Sequence, residues 1–192
     1  LNAANDLGNT GPDFRFGWGH VNAWRAHQLL SNNRWQEYYA EQGSQGLHAI
    51  PIPPGTRQAR IMLYWSDPPA NVGAARALVN DLDLTVTAPD GSTVHLPWKL
   101  DPTPDPGILN TPAGKGRDSL NNVEQVAIND PAPGIYTVRV RGQEVPMGPQ
   151  PYFIVWEFYD DGVKITYPAG GEGLVPGEVC RIQWDALGND GN

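Results

Sequence analysis

The sequence is most informative at first through what it lacks. Of 192 residues only one, Cys180, is a cysteine. That excludes an intrachain disulfide and any zinc site built from several thiolates. No run approaches the roughly 20 apolar residues that a membrane helix needs, so no helical span of a bilayer is expected. Basic residues are scarce: 13 Lys+Arg stand against 21 Asp+Glu, a net charge of -8. Nucleic-acid binding depends on neutralising phosphates with Lys and Arg, so this balance argues against a nucleic-acid partner. Helical pattern is also rare. What is abundant is turn chemistry, with 22 Gly and 19 Pro, together with 7 Trp, 7 Tyr and 4 Phe. A disordered chain would lack those aromatics. Many turns around an aromatic core point to short strands.

The residues divide into three zones. In 1–45, the stretch from His20 to Leu30 carries Val21, Ala23, Trp24, Ala26 and Leu30 at helical spacing. It is bracketed by Gly17-Trp18-Gly19 and Ser31-Asn32-Asn33. Three turns are marginal in isolation, so this helix must pack on something. In 46–160 the period becomes two. Residues Ala59 to Trp65 form a nearly continuous apolar strand, and Leu82, Leu84 and Val86 alternate with Asp81, Asp83 and Thr85. Pro89-Asp90-Gly91 marks a turn, and further strands are expected at Thr93 to Leu96, Val123 to Ile128, Ile135 to Arg141 and Phe153 to Tyr159. Short strands without alternating helices predict a mainly β fold, an antiparallel jelly roll or β-sandwich with one short N-terminal helix. The segment 161–192 starts afresh with about three short strands. It is too short to close a sandwich of its own and reads as a truncated β segment.

Catalytic chemistry is hard to find. The histidines His20, His27, His48 and His95 have no characteristic motif around them, and no serine sits in a Gly-x-Ser-x-Gly elbow. A His-Glu-x-x-His motif, a phosphate loop and a dinucleotide fingerprint are all missing. The oxygen-rich segments are more suggestive. Asp81 and Asp83, two apart on one strand, point the same way roughly 7 Å apart. The register set by Val126 and Ile128 turns Asn122 and Glu124 inward. A buried carboxylate must be paired, metal-bound or neutral. Calcium takes six to eight hard oxygens, so the acidic and amide residues are chemically suitable ligands. The alternative is a solvated Asp81/Asp83 face with Glu124 paired to Arg117, Arg139 or Arg141.

Three stretches resemble known families. Ala4-Asn5-Asp6-Leu7-Gly8, followed by Gly11-Pro12-Asp13-Phe14-Arg15-Phe16-Gly17-Trp18-Gly19-His20, resembles the end of the catalytic domain of subtilisin-like serine proteases. Leu63-Tyr64-Trp65-Ser66-Asp67-Pro68-Pro69, Leu78-Val79-Asn80-Asp81-Leu82-Asp83-Leu84 and Asn121-Asn122-Val123-Glu124 are similar to the jelly-roll C-terminal domain of a secreted subtilase subgroup. That domain in turn looks like the P-domain of proprotein convertases. Thr166-Tyr167-Pro168, Pro176-Gly177 and Ile182-Gln183-Trp184-Asp185 look like the start of an immunoglobulin-like repeat.

The resemblance implies three units: 1–45 as the tail of a catalytic domain, 46–160 as a P-domain-like jelly roll, and 161–192 as the start of an immunoglobulin-like domain. It implies a secreted protein whose catalytic Asp, His and Ser precede Leu1, so that this chain is not itself an enzyme. Its partner would be the protease catalytic domain of the same polypeptide, which it would stabilise. Calcium is the implied cofactor, with Asp67, Asn80, Asp81, Asp83, Asn121, Asn122 and Glu124 as the ligand pool. The rival reading is a free-standing carbohydrate- or surface-binding module, for which Trp98, Tyr152 and Trp35 are the candidate platform. Residues 1–40 are expected to be less well anchored than 46–160.

Overall fold

The computed structural model describes residues 1–185. One helix, α1 (Ala23–Ser31), is followed by twelve strands: β1 (Trp35–Ala40), β2 (Gln45–Ile52), β3 (Gln58–Trp65), β4 (Asp81–Thr87), β5 (Val94–His95), β6 (Trp98–Lys99), β7 (Gly114–Lys115), β8 (Val123–Asn129), β9 (Gly134–Glu144), β10 (Gln150–Tyr159), β11 (Lys164–Tyr167) and β12 (Gln183–Asp185). Eight of these form two four-stranded antiparallel sheets, in the orders β1-β10-β3-β8 and β2-β9-β4-β5. Apart from the β4–β5 hairpin, which stays within one sheet, the sandwich strands alternate between the two sheets along the chain, which is the jelly-roll arrangement of the predicted fold. The chain is therefore a mainly β protein built on an antiparallel sandwich.

The period-two pattern accounts for the core. Ile50 and Ile52 of β2, Ile61, Leu63 and Trp65 of β3, Leu82, Leu84 and Val86 of β4, Tyr136, Val138 and Val140 of β9, and Tyr152 and Ile154 of β10 meet between the sheets. Trp65 is fully buried and its indole N–H donates to the Asn80 carbonyl at 2.9 Å, so its one polar atom is satisfied inside the core. The turn after β4 forms where glycine was expected to supply it, with Gly91 at φ 72°. The Asp90 carboxylate fixes that turn by accepting from the Thr93 hydroxyl at 2.6 Å and from the backbone N–H groups of Ser92 and Thr93. These bonds, the Thr93 hydroxyl first, hold the Asp90 carboxyl down at about 2.

The helix begins where Asn22 caps it, the side-chain oxygen accepting from the Arg25 N–H at 3.0 Å. Trp35–Ala40, which the sequence groups with the tail segment, forms an edge strand of the sandwich, paired with β10 from Trp35↔Val155 to Ala40↔Gln150. Beyond the sandwich, β11 and β12 pair as an antiparallel hairpin. The rest of the segment expected to open an immunoglobulin-like repeat, 186–192, lies outside the described residues. Among the described residues no helix is long and apolar enough to cross a membrane.

Candidate functional site

Two buried charged networks lie at different places on the sandwich. The first is on the outer face of the β1-β10-β3-β8 sheet. Strand β10 is apolar on both sides: Tyr152 and Ile154 enter the core, while Val155, Glu157 and Tyr159 face outward. Glu157 and Tyr159 are nevertheless buried, because residues 1–33 lie across them. Arg25 reaches down from α1 and its Nε meets Glu157 Oε1 at 3.1 Å, with both side chains less than a tenth exposed. Its Nη1 donates to the Asn5 side-chain oxygen at 2.6 Å, and its guanidinium lies 4.0 Å from the Tyr159 ring centroid. Tyr159 in turn donates its hydroxyl to Glu157 Oε2 at 3.0 Å.

Further polar anchors surround this pair. Arg60 of β3 stacks on the same Tyr159 ring at 4.7 Å and donates to the Ala4 carbonyl at 2.8 Å. Asn2, 3% exposed, donates to the carbonyls of Arg60 and Val155 and accepts from Gln125 at 2.9 Å. Asn5 and His20 bridge the segment to itself through two backbone bonds. Gly19 sits at that crossing with φ 97°, where a Cβ would stand 2.0 Å from the Asn5 carbonyl oxygen. Only glycine fits there. Asp13 closes the loop ahead of it, accepting from the N–H groups of Asn9, Arg15 and Phe16, and these bonds outweigh its burial to lower its carboxyl. The expectation of a less well anchored N-terminal zone thus meets a segment tied to the sheet by an ion pair, a buried amide and one cation–π contact.

The second network holds the expected calcium ligands. They gather at one end of the sandwich, but each has protein partners. Asp67 accepts from the N–H groups of Val79 and Asn80 at 2.7 and 2.8 Å. Asn80, fully buried, donates to the Met147 carbonyl and to Gln150 and accepts from the Met147 N–H. Asn121 donates to Asp118 at 2.7 Å, and Asn122 donates to the Trp65 carbonyl at 2.7 Å. Arg117 bridges the two strand carboxylates, its Nε meeting Asp83 at 2.7 Å and its Nη2 meeting Asp81. Asp81 is 1% exposed, so it does not belong to a solvated face; burial raises its carboxyl despite Arg117, and its Oδ1 has no partner among the described residues.

Glu124 points inward as its register requires, but among the described residues no arginine pairs with it. Its oxygens accept from the backbone N–H groups of Leu84 at 2.6 Å and Asp118 at 3.3 Å. Burial pushes its carboxyl up to about 9, so it is neutral at pH 7. Among the described residues no three His, Cys, Asp or Glu side chains group so as to hold a metal ion. The set does not fit calcium as arranged: the oxygens of Asp67, Asn80 and Glu124 accept from backbone N–H donors, and Arg117 stands where a cation would bridge Asp81 and Asp83.

Other sequence candidates are scattered. Among the described residues Ser31 and His27 make a Ser–His contact, Oγ to Nε2 at 3.3 Å, one turn apart on an exposed helix end, and no carboxylate orients the ring. Tyr152 is 1% exposed, bonded through its hydroxyl to His48, and Trp98 has the Lys115 ammonium 3.1 Å from its ring centroid. Neither presents a bare ring as a sugar platform would require. Arg25, Asn2 and Glu157, by contrast, were not singled out by sequence. The signal that bore on them is the two-sided apolar run of β10, since an antiparallel strand open to water on one face would alternate.

Among proteins of known sequence, two from Dictyostelium discoideum share part of this chain. One, named Serine protease/ABC transporter B family protein tagB, is 36% identical over 96 residues, covering 49% of this chain and 5% of that protein. The other, Serine protease/ABC transporter B family protein tagD, is 28% identical over 140 residues, covering 65% of this chain and 7% of that protein. The chain resembles a stretch of proteins named as serine proteases. It spans only about 5–7% of their length. No family model matches it. A crystal structure of a Sulfurospirillum deleyianum protein aligns with a TM-score of 0.34 and 10% identity, over 65% of this chain and 96% of the other.

Proposed function

We propose that this chain is a non-catalytic, P-domain-like jelly-roll module of a secreted subtilisin-like serine protease, and that it works by fixing the terminal segment of the catalytic domain. The observation that carries this reading is the clamp of Arg25 on Glu157. Residues 1–33, which resemble the end of a subtilase catalytic domain, are held to the sheet by a buried ion pair, the Asn2 amide, the Arg25–Tyr159 stack and the Arg60 bond to the Ala4 carbonyl. The Dictyostelium relatives, which are named as serine proteases, support the same association.

The physical consequence follows from local unfolding. A terminal helix of nine residues is marginal alone and frays readily, and a frayed segment is where a protease cuts itself. Opening this helix breaks the buried Arg25–Glu157 pair and exposes Leu29 and Ala3, so the open state becomes rare. In this reading the chain contributes placement and lifetime, while the reaction belongs to the catalytic domain. Calcium has no part in it, since Arg117 already supplies the positive charge between Asp81 and Asp83.

The test is autolysis of the full-length protease. Arg25→Ala should shorten its active lifetime by about tenfold or more, with the turnover of a small peptide substrate unchanged at time zero. Equal lifetimes would refute the clamp's role. A lost initial turnover would point instead to a direct part in the reaction.

A further inference from the structure

Beside the clamp, between α1 and the outer face of the sheet, lies an open groove of about 650 Å³. Leu29 and Leu30 form its helix wall, and Trp35, Tyr64, Phe153 and Val155 form its floor and far rim. Among the described residues no charged side chain lines it, and the amide of Asn2 at its edge is already engaged by Arg60, Val155 and Gln125. Several of its apolar walls face water: Leu30 is 59% exposed, Trp35 41% and Tyr64 39%. Exposed apolar surface gathered in one concave place marks a binding surface more often than chance scatter does.

The groove is continuous with an interface already present. Ala3, Leu29 and Met62, buried where residues 1–33 meet the sheet, also line it, so the same contact runs on past the edge of the helix as bare surface. We infer that this groove seats an uncharged, apolar segment of the protease catalytic domain, and that the clamp and the groove are the polar and apolar halves of one docking face. The inference rests on the proposed role as a protease module and adds the surface and the chemistry of what it holds. An acidic or basic partner is disfavoured, since a charge placed here would find no counter-charge. Trp35 and Phe153, with ring centroids 6.5 Å apart, give the far rim the rigid aromatic area that anchors such contacts.

The experiment uses 1-anilinonaphthalene-8-sulfonate, a dye that fluoresces in apolar clefts, on this chain and on the full-length protease. Both are compared with their Leu30→Glu/Tyr64→Glu variants. Each of these side chains is more than a third exposed, so the core is spared, and circular dichroism checks the fold. In the isolated chain the substitutions should cut dye fluorescence at least fivefold. In the full-length protein, where the groove is filled, they should change it by less than a fifth of that difference, while limited proteolysis between the two domains should speed up about tenfold.

Equal dye loss in both proteins would overturn the proposal, because the groove would then be empty in the intact enzyme. No dye loss in the isolated chain, or unchanged proteolysis, would overturn it as well. Those failures are separable from failure of the module's proposed role. Deleting residues 35–160 from the full-length protease would still shorten its lifetime if the role holds and only the groove assignment is wrong.

Discussion

Among the described residues two glutamates are buried, and they are buried differently. Glu157, on the outer face of β10, sits against Arg25 and Tyr159. Glu124, on the core-facing side of β8, has two backbone N–H donors and no cation. The same residue type in two buried places thus behaves as an ion-pair partner in one and as a neutral acid in the other. What separates them is whether a guanidinium reaches the site, because two N–H groups do not offset the desolvation of a full charge. Arg25 reaches Glu157 from a separate segment of chain, so that pair forms only when the segment docks. At Glu124 everything comes from the sandwich, so its charge state reports the pH.

The comparison breaks most severely if Arg25 is removed. Arg25→Ala removes one member of the buried Arg25–Glu157 pair, a deletion that costs about 3–5 kcal/mol. A chemical-denaturation midpoint measures that loss. The double variant Arg25→Ala/Glu157→Leu should recover much of it, since an apolar pair leaves no stranded charge. A single variant as stable as the parent would mean that the pair is open to water in solution.

Glu124 should give the next largest effect, and of opposite sign. Its folded-state carboxyl titrates at about 9 against an ordinary value of 4.5, so the folded form holds a proton that the unfolded form has lost. Stability is therefore full below pH 4.5 and declines as pH rises toward 9. Glu124→Gln copies the neutral acid without the titration. It should stabilise the chain by about 3 kcal/mol at pH 7. It should also flatten the fall in melting temperature between pH 5 and pH 9. An undiminished slope in the variant would place the titration elsewhere.

These two sites also mark how far sequence alone reaches. The sandwich was legible because alternation is a local signal: Leu82, Leu84 and Val86 declare one face of β4 without help from any other strand. The inward turn of Glu124 was legible for the same reason, as it shares a register with Val126 and Ile128. Its partners were not. The Leu84 N–H lies forty residues away, and alternation had offered three arginines as partners where backbone N–H groups stand instead. The edge strand Trp35–Ala40 was hidden because its pairing with β10 is the contact that creates it. The clamp was least visible of all. Arg25 to Glu157 spans 132 residues, and nothing near Arg25 distinguishes it from a helix-surface cation.

The smallest effect tests the acidic end, where the resemblance implies calcium and the geometry offers Arg117 instead. The Arg117 side chain is about half exposed and that of Asp83 18% exposed, so water screens much of their attraction, whereas Asp81 is buried. Arg117→Ala should therefore cost only about 1 kcal/mol, coming almost wholly from Asp81. With the guanidinium gone, Asp81 and Asp83 would be two carboxylates side by side on β4, and a divalent cation would have an opening. Melting curves in excess calcium and in chelator should then coincide for the parent chain and separate for the Arg117→Ala variant. If the parent itself melts higher with calcium, the cation binds despite Arg117, and the orphaned Oδ1 of Asp81 becomes the first oxygen to examine as its ligand. If neither protein responds, the acidic end is a purely structural junction, its carboxylates holding the β3–β4 and β7–β8 connections in place through N–H groups.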